Sequence, residues 1–366
     1  MESKRNYQLD VLKFFFTLCI FLYHARLLAP AGGLARQISD KWGWFGVHFF
    51  FIVSGMLMAN SFMRHRTEQT QEPGKAAVRF VVHKFRSIAG IYFISFSFNF
   101  VIRFCIELHA HQDVSALTTL WKLILGSVPE LFLVQMSGVR QIGVNSVTWY
   151  ISAMLLVMLP LYYFLCKKPD FFLHVFSPTA ALMLYGFFFK MDNDYFDQND
   201  CIGPFSGGVL RALCGICAGA ATWALAQWIR EHLADRKYST KLTLIEVLFS
   251  VYLLLVWIFP SFSAQLMYGA LLPIPLLVAV VFSGKSRISA LFQMPWLRRI
   301  NRLSMLIYFN HYAARQLITR FELWLDRPYL QRYLLMAMLT AGFCLLCAGL
   351  EWLIHRCFSQ KASKPV

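Results

Sequence analysis

The sequence predicts an all-α fold, a polytopic transmembrane helix bundle of about ten spans with both termini cytoplasmic. Three observations carry the prediction. Of 366 residues, 58% are hydrophobic and only 15% charged, against nearer ~25% charged in soluble domains, so water cannot solvate most of this surface. The apolar residues fall in blocks of about twenty, the length a helix needs to cross a hydrocarbon core ~30 Å thick. The lysines and arginines sit in the short links between blocks rather than along one stripe. The net charge of +16 therefore reports topology and excludes nucleic acid as a partner; the lipid bilayer is the main one.

The first block, residues 9–29, is too long for a cleaved signal peptide, carries Asp10 and Lys13, and lacks a small-residue cleavage site. It reads as a retained signal anchor. Further spans are expected at 43–63, 85–106, 147–166, 171–189, 205–228, 242–260, 265–283, 302–323 and 331–354. The stretch 117–134 is shorter and carries Lys122 and Glu130. It reads as an interfacial or re-entrant helix in an extracytoplasmic loop over 107–146. Counting it as a further span would place Lys167, Lys168 and the Arg298, Arg299, Arg302 cluster outside, against the positive-inside rule. Without it, those residues share the side of both termini and the acidic run 192–200 lies opposite. This pattern points to an inner (plasma) membrane. No linker divides the chain, so 1–366 is one domain, and no fixed-period repeat is visible.

Cys214, Cys217, Cys344 and Cys347 form two C-x-x-C spacings inside apolar blocks. With no His or Asp beside them they read as small helix-packing residues, and no metal is expected.

Lys13, Arg26, Arg211 and Arg315 are the cations inside spans or at their margins. A charge near the bilayer centre costs roughly 2.5 to 3.5 kcal/mol, so such residues face a polar cavity, face one another, or snorkel out. His24 follows Lys13 by eleven positions, three helical turns, so both side chains share a face about 16 Å apart along the axis. Asp10 lies one turn before Lys13. The three form a polar track through an apolar helix and predict a water-lined passage. An imidazole accepts a proton from a hydroxyl and hands it on, which suits acyl transfer; the competing reading of His24 is an interhelical hydrogen bond.

Leu9-Asp10-Val11-Leu12-Lys13 followed by Phe21-Leu22-Tyr23-His24 resembles the opening of the acyltransferase-3 family of membrane acyltransferases, whose hallmark is a basic residue, ten intervening residues and a histidine. Three further segments agree in order and spacing: Phe45 to Gly55, Thr148 to Ser152, and Ser304 to His311. The resemblance covers the whole chain and is to the short, stand-alone members. It implies O-acylation, commonly O-acetylation, of a cell-surface glycan or its precursor, with cytoplasmic acyl-CoA, most often acetyl-CoA, as donor. It also implies His24 as the catalytic histidine and Lys13 as a group that binds or orients the donor.

Lysine at position 13, where the family prefers arginine, keeps the charge and loses the planar fork. The family's Arg-x-x-Arg-Ile-x-Pro motif stands here as Lys84-Phe85-Arg86-Ser87-Ile88-Ala89-Gly90, lacking the second arginine and the proline. Lys84 and Arg86 are the candidates for the coenzyme A phosphates. Asp10, Tyr23, His48, Trp149, Tyr150, Tyr308 and His311 are the candidate substrate-lining residues, although His48 stands where many relatives carry an acid. Trp149 and Tyr150 equally suit interfacial anchors, and Tyr308 and His311, like Ser54 and Gly55, suit packing. The competing function is a transporter or exporter of a glycan or lipid-linked intermediate. It would show paired helix breaks at mid-membrane, and Pro273 and Pro275 have no matching partner. An oligomer is compatible with either reading.

Overall fold

The computed structural model describes residues 5–30, 33–139, 143–190, 198–259 and 272–362. Its helices in chain order are α1 (Tyr7–Ala25), α2 (Leu34–Arg64), α3 (Arg66–Gln71), α4 (Pro73–Ala110), α5 (Ala116–Leu131), α6 (Trp149–Lys167), α7 (Pro169–Lys190), α8 (Gly207–His232), α9 (Arg236–Ile258), α10 (Pro273–Ser283), α11 (Arg298–Arg320) and α12 (Tyr329–Ala362). The one ladder among the described residues is a two-residue hairpin, β1 (Cys201–Ile202) against β2 (Phe205–Ser206), which hands the chain to α8.

Eight of these helical segments are long and apolar enough to cross a membrane, so the chain is a multi-pass membrane protein with an all-α bundle fold. Among the described residues, each predicted span falls on a helix. The segment at 265–283 is described from α10 onward, and the part over 260–271 lies outside the described residues. α11 carries Arg298, Arg299, Arg302, Arg315 and Arg320 and falls below the apolar criterion. It is nonetheless packed against α1, α4 and α12 along a face that includes Leu306, Phe309, Ala313, Ala314 and Ile318. α5 has 16 residues, about 24 Å at 1.5 Å per residue, short of a hydrocarbon crossing.

Local sequence explains the element ends. Asn6 caps α1 by accepting from the Leu9 amide at 2.9 Å, and Ser206 caps α8 by accepting from the Val209 amide. Pro73 opens α4 at a position whose N–H has no helical partner anyway. In α7, Pro178 has no N–H for the carbonyl four residues back, and the helix widens into a π turn over Phe172–Phe176 just before it.

The core is built around α2, which packs on α1, α6 and α8. Small residues set the α2–α8 distance. A Cβ on Gly55 would stand 2.1 Å from the Ile216 carbonyl oxygen, and one on Gly219 would stand 2.0 Å from that of Ile52. The two backbones touch where each presents a glycine, as small-residue packing in lipid requires. Cys214 and Cys217 are buried on the side of α8 that faces α7. The thiols of Cys214 and Cys347 donate to carbonyls of neighbouring helices, those of Ala181 and Ile91.

Candidate active site

At the N-terminal end of α1, Asp10 is buried between two cations. Its Oδ2 accepts from Arg5 Nε at 2.7 Å and its Oδ1 lies 3.4 Å from Lys13 Nζ. Lys13 Nζ also reaches Asn301 Oδ1 at 3.4 Å. An ammonium has three donors, so one is left for a ligand. Asp10 and Lys13 line a cavity of about 930 Å³ whose wall also includes Arg5, Arg64, Arg230 and Asn301. Four cations against one carboxylate make this cavity a receptor for an anion. Arg230 contributes field more than donors, since its guanidinium is spent on the carbonyls of Phe282 and Ser283. Lys84 lies within electrostatic reach of Lys13 but does not line the cavity. Arg86 is exposed and does not line the cavity.

The predicted track does not run open from Lys13 to His24. The cavity's lining ends at Lys13. On the same helical face Thr17 and Ile20 are buried, and Thr17 folds back to donate to the Lys13 carbonyl at 2.9 Å. This β-branched pair packs the α1 face between Lys13 and His24.

At the far end of α1, His24 sits in a second polar cluster. Its ring centroid lies 5.0 Å from that of His311 on α11, 5.1 Å from Tyr23 and 6.1 Å from Tyr312. Arg315 Nη1 approaches His24 Nδ1 at 3.5 Å. A guanidinium only donates, so this Nδ1 carries the lone pair. His311 is fully buried and its Nδ1 donates to the Ile307 carbonyl, one turn back, at 3.0 Å. Among the described residues its Nε2 has no partner. The cluster extends through Tyr308, 6.3 Å from His311, to Tyr150, 6.1 Å further, whose hydroxyl lies 3.1 Å from Ser54 Oγ. Residues from all four motif segments thus form one chain of contacts: His24 from the first, His311 and Tyr308 from the fourth, Tyr150 from the third and Ser54 from the second. Tyr150 is buried in the bundle, which removes the reading of it as a lipid-interface anchor.

Two predicted lining residues lie in a different setting. His48 is buried, with Nε2 at 2.6 Å from the Tyr185 hydroxyl and its ring stacked on Trp44. Trp149 turns its ring to the Arg211 guanidinium, 5.1 Å away. Both belong to the packing of α2, α6, α7 and α8.

Glu130, in the sequence one of two charges that mark α5 as non-spanning, is a structural hub. Fully buried, its carboxylate accepts from the amides of Val144 and Asn145, both at 2.7 Å, and from Thr148 Oγ1 at 3.0 Å. Burial pushes this carboxyl up from the ordinary range, and the backbone amides and Thr148 pull it back. The segment it holds is laced to α11. Asn145 Nδ2 donates to the Phe309 carbonyl at 3.1 Å, Tyr308 OH donates to the Val147 carbonyl at 2.5 Å, and Ser146 Oγ meets Tyr312 OH at 2.9 Å. Glu130 therefore fixes the loop against which the Tyr308 and His311 face of α11 is set.

The sequence pattern described as the acyltransferase domain, acyltransferase-3, matches residues 6–352. The chain belongs to the acyltransferase-3 family. No curated protein and no solved structure matches it significantly. For a membrane acyltransferase, sequence reasoning gives no site role to Arg64, Arg230 or Glu130, and marks Arg315 only as a cation inside or at the margin of a span. The first two look like ordinary link residues, and only the fold turns them into one cavity wall. Arg315 did carry a signal: it is a cation within a span, one turn after His311.

Proposed function

We propose that this acyltransferase moves an acetyl group from acetyl-CoA to a hydroxyl of a cell-surface glycan or its lipid-linked precursor, with His24 as general base. The observation that carries the reading is the chain of contacts that joins His24 to His311, Tyr308, Tyr150 and Ser54, one or more residues from each of the four motif segments, on the helix that also carries Lys13 of the cationic cavity. An anionic donor suits that cavity: Lys13 offers a free N–H to a phosphate, and Arg5 and Arg64 add positive field. Once the buried layer of Thr17 and Ile20 parts, the flexible thioester arm extends along α1 toward the imidazole. There the hydroxyl oxygen attacks the thioester carbon, His24 takes its proton, and the leaving thiolate recovers that proton as the C–S bond breaks. Holding both reactants in line converts an encounter between two solvents into a local event. The donor end faces the cytoplasm of an inner-membrane protein, and the His24 end, where Ser146 meets Tyr312, faces outward.

The test compares surface glycan in cells with and without the gene, and acetyl-CoA binding by the purified protein in detergent. The expected result is loss of alkali-labile acetyl groups without the gene, together with saturable binding. A transporter of glycan would show no acetyl-CoA binding.

A further inference from the structure

Arg315 lies within the bundle on α11, on the same face as His311 one turn earlier. Its Nη1 is 3.5 Å from His24 Nδ1, and its guanidinium carbon is 5.3 Å from the Tyr312 ring centroid. Among the described residues no carboxylate stands within ion-pair distance of it, and none of its other donors meets a side-chain or carbonyl acceptor. An uncompensated guanidinium in a membrane bundle is costly. Placed beside an imidazole that must become a cation, it is adverse a second time, unless negative charge develops between the two.

Resting on the acyl-transfer reading above, we propose that Arg315 is a further catalytic residue, the donor that stabilises the oxyanion formed on the thioester carbonyl. As the hydroxyl oxygen bonds to the carbonyl carbon, the C=O electron pair moves onto oxygen and the hydroxyl proton passes to His24. The oxyanion then accepts N–H groups from the Arg315 fork, which the long contact to Nδ1 leaves uncommitted. Collapse restores C=O, breaks C–S, and the thiolate takes the proton from His24 to leave as a free thiol. A planar fork matches a developing oxyanion and its neighbouring oxygen better than a point charge. The His24–Arg315 pair thus divides the work of the reaction: one side takes the proton, the other takes the charge.

The experiment uses inverted membrane vesicles carrying their endogenous glycans, radiolabelled acetyl-CoA, and alkali-labile label in the glycan fraction as readout. Arg315→Met is expected to lower kcat by ~100-fold or more while leaving KM for acetyl-CoA within about threefold. Arg315→Lys should restore part of the loss, because a charge returns without the fork. Acetyl-CoA binding by the purified variants in detergent reports folding. Should Arg315→Met fail to bind, Arg315→Gln, which keeps an N–H donor without charge, decides the matter: a fall in kcat of ~10-fold or more supports the assignment. Wild-type turnover in a folded variant, or a loss expressed only as a higher KM for acetyl-CoA, overturns it. Label transfer absent from wild-type vesicles instead refutes the acyl-transfer reading itself.

Discussion

Lys13 and His311 mark the two ends of the proposed reaction path, and each has a separable effect. Lys13 holds its place through Asp10 and Asn301 with one donor to spare. Lys13→Met is expected to raise KM for acetyl-CoA about tenfold or more, the worth of one charged hydrogen bond, with kcat little changed. Steady-state kinetics on inverted vesicles separates the two parameters. His311 presents a buried, unpartnered Nε2 beside His24. His311→Phe fills the space and removes that acceptor, so kcat should fall while acetyl-CoA binding persists. Unchanged turnover would make His311 a packing residue. At this scale the sequence was legible wherever residue type and helical spacing coincide. Lys13 and His24, three turns apart, needed no structure to be singled out. Arg315 was visible as a misplaced charge, but its partner stands 291 residues away, and no local pattern encodes that distance.

At the scale of elements, two contacts hold the site in shape. The first is the α2–α8 seam, where Gly55 and Gly219 meet opposing backbones. Gly219→Val puts a Cβ where the Ile52 carbonyl oxygen stands and forces the helices apart. A loss of ~1–3 kcal/mol or more is expected, read as a lower midpoint of thermal unfolding in detergent; an unchanged midpoint would show that the seam opens freely. The second is the Glu130 hub. Glu130→Gln replaces one acceptor by an NH₂ group facing an amide or a hydroxyl donor. The expected cost is ~1–3 kcal/mol, with kcat falling because Tyr308 and His311 lose their backing. Hydrogen exchange at Val144 and Asn145 reports the loosened segment. Hydropathy alone marked α5 as too short and too charged to span, yet the binding of its one acid to the segment ahead of α6 is tertiary and left no periodic trace. The closed layer at Thr17 and Ile20 is a related case. Helical spacing aligns Lys13 with His24, but only packing decides whether the space between them is open.

For the whole molecule, apolar block length and the placement of basic residues made the bundle readable, because lipid leaves helices as the only way to satisfy the backbone across it. α11 shows the limit of that logic. Its arginines take it below any apolar threshold, and burial of one face against α1, α4 and α12 keeps it in the bundle. Reporter fusions at both termini should place them on the cytoplasmic side, as the distribution of Arg64, Lys167, Arg236 and Arg298 requires. The central claim is that an acetyl group passes from a donor in the Lys13 cavity to an acceptor at His24. Its most direct test is transfer of label from acetyl-CoA added outside sealed inverted vesicles, with wild-type protein and with His24→Ala. The account predicts alkali-labile label in glycan with the wild type and a loss of ~10²–10⁴-fold in the variant, with acetyl-CoA binding intact. Equal transfer by the two proteins would contradict it.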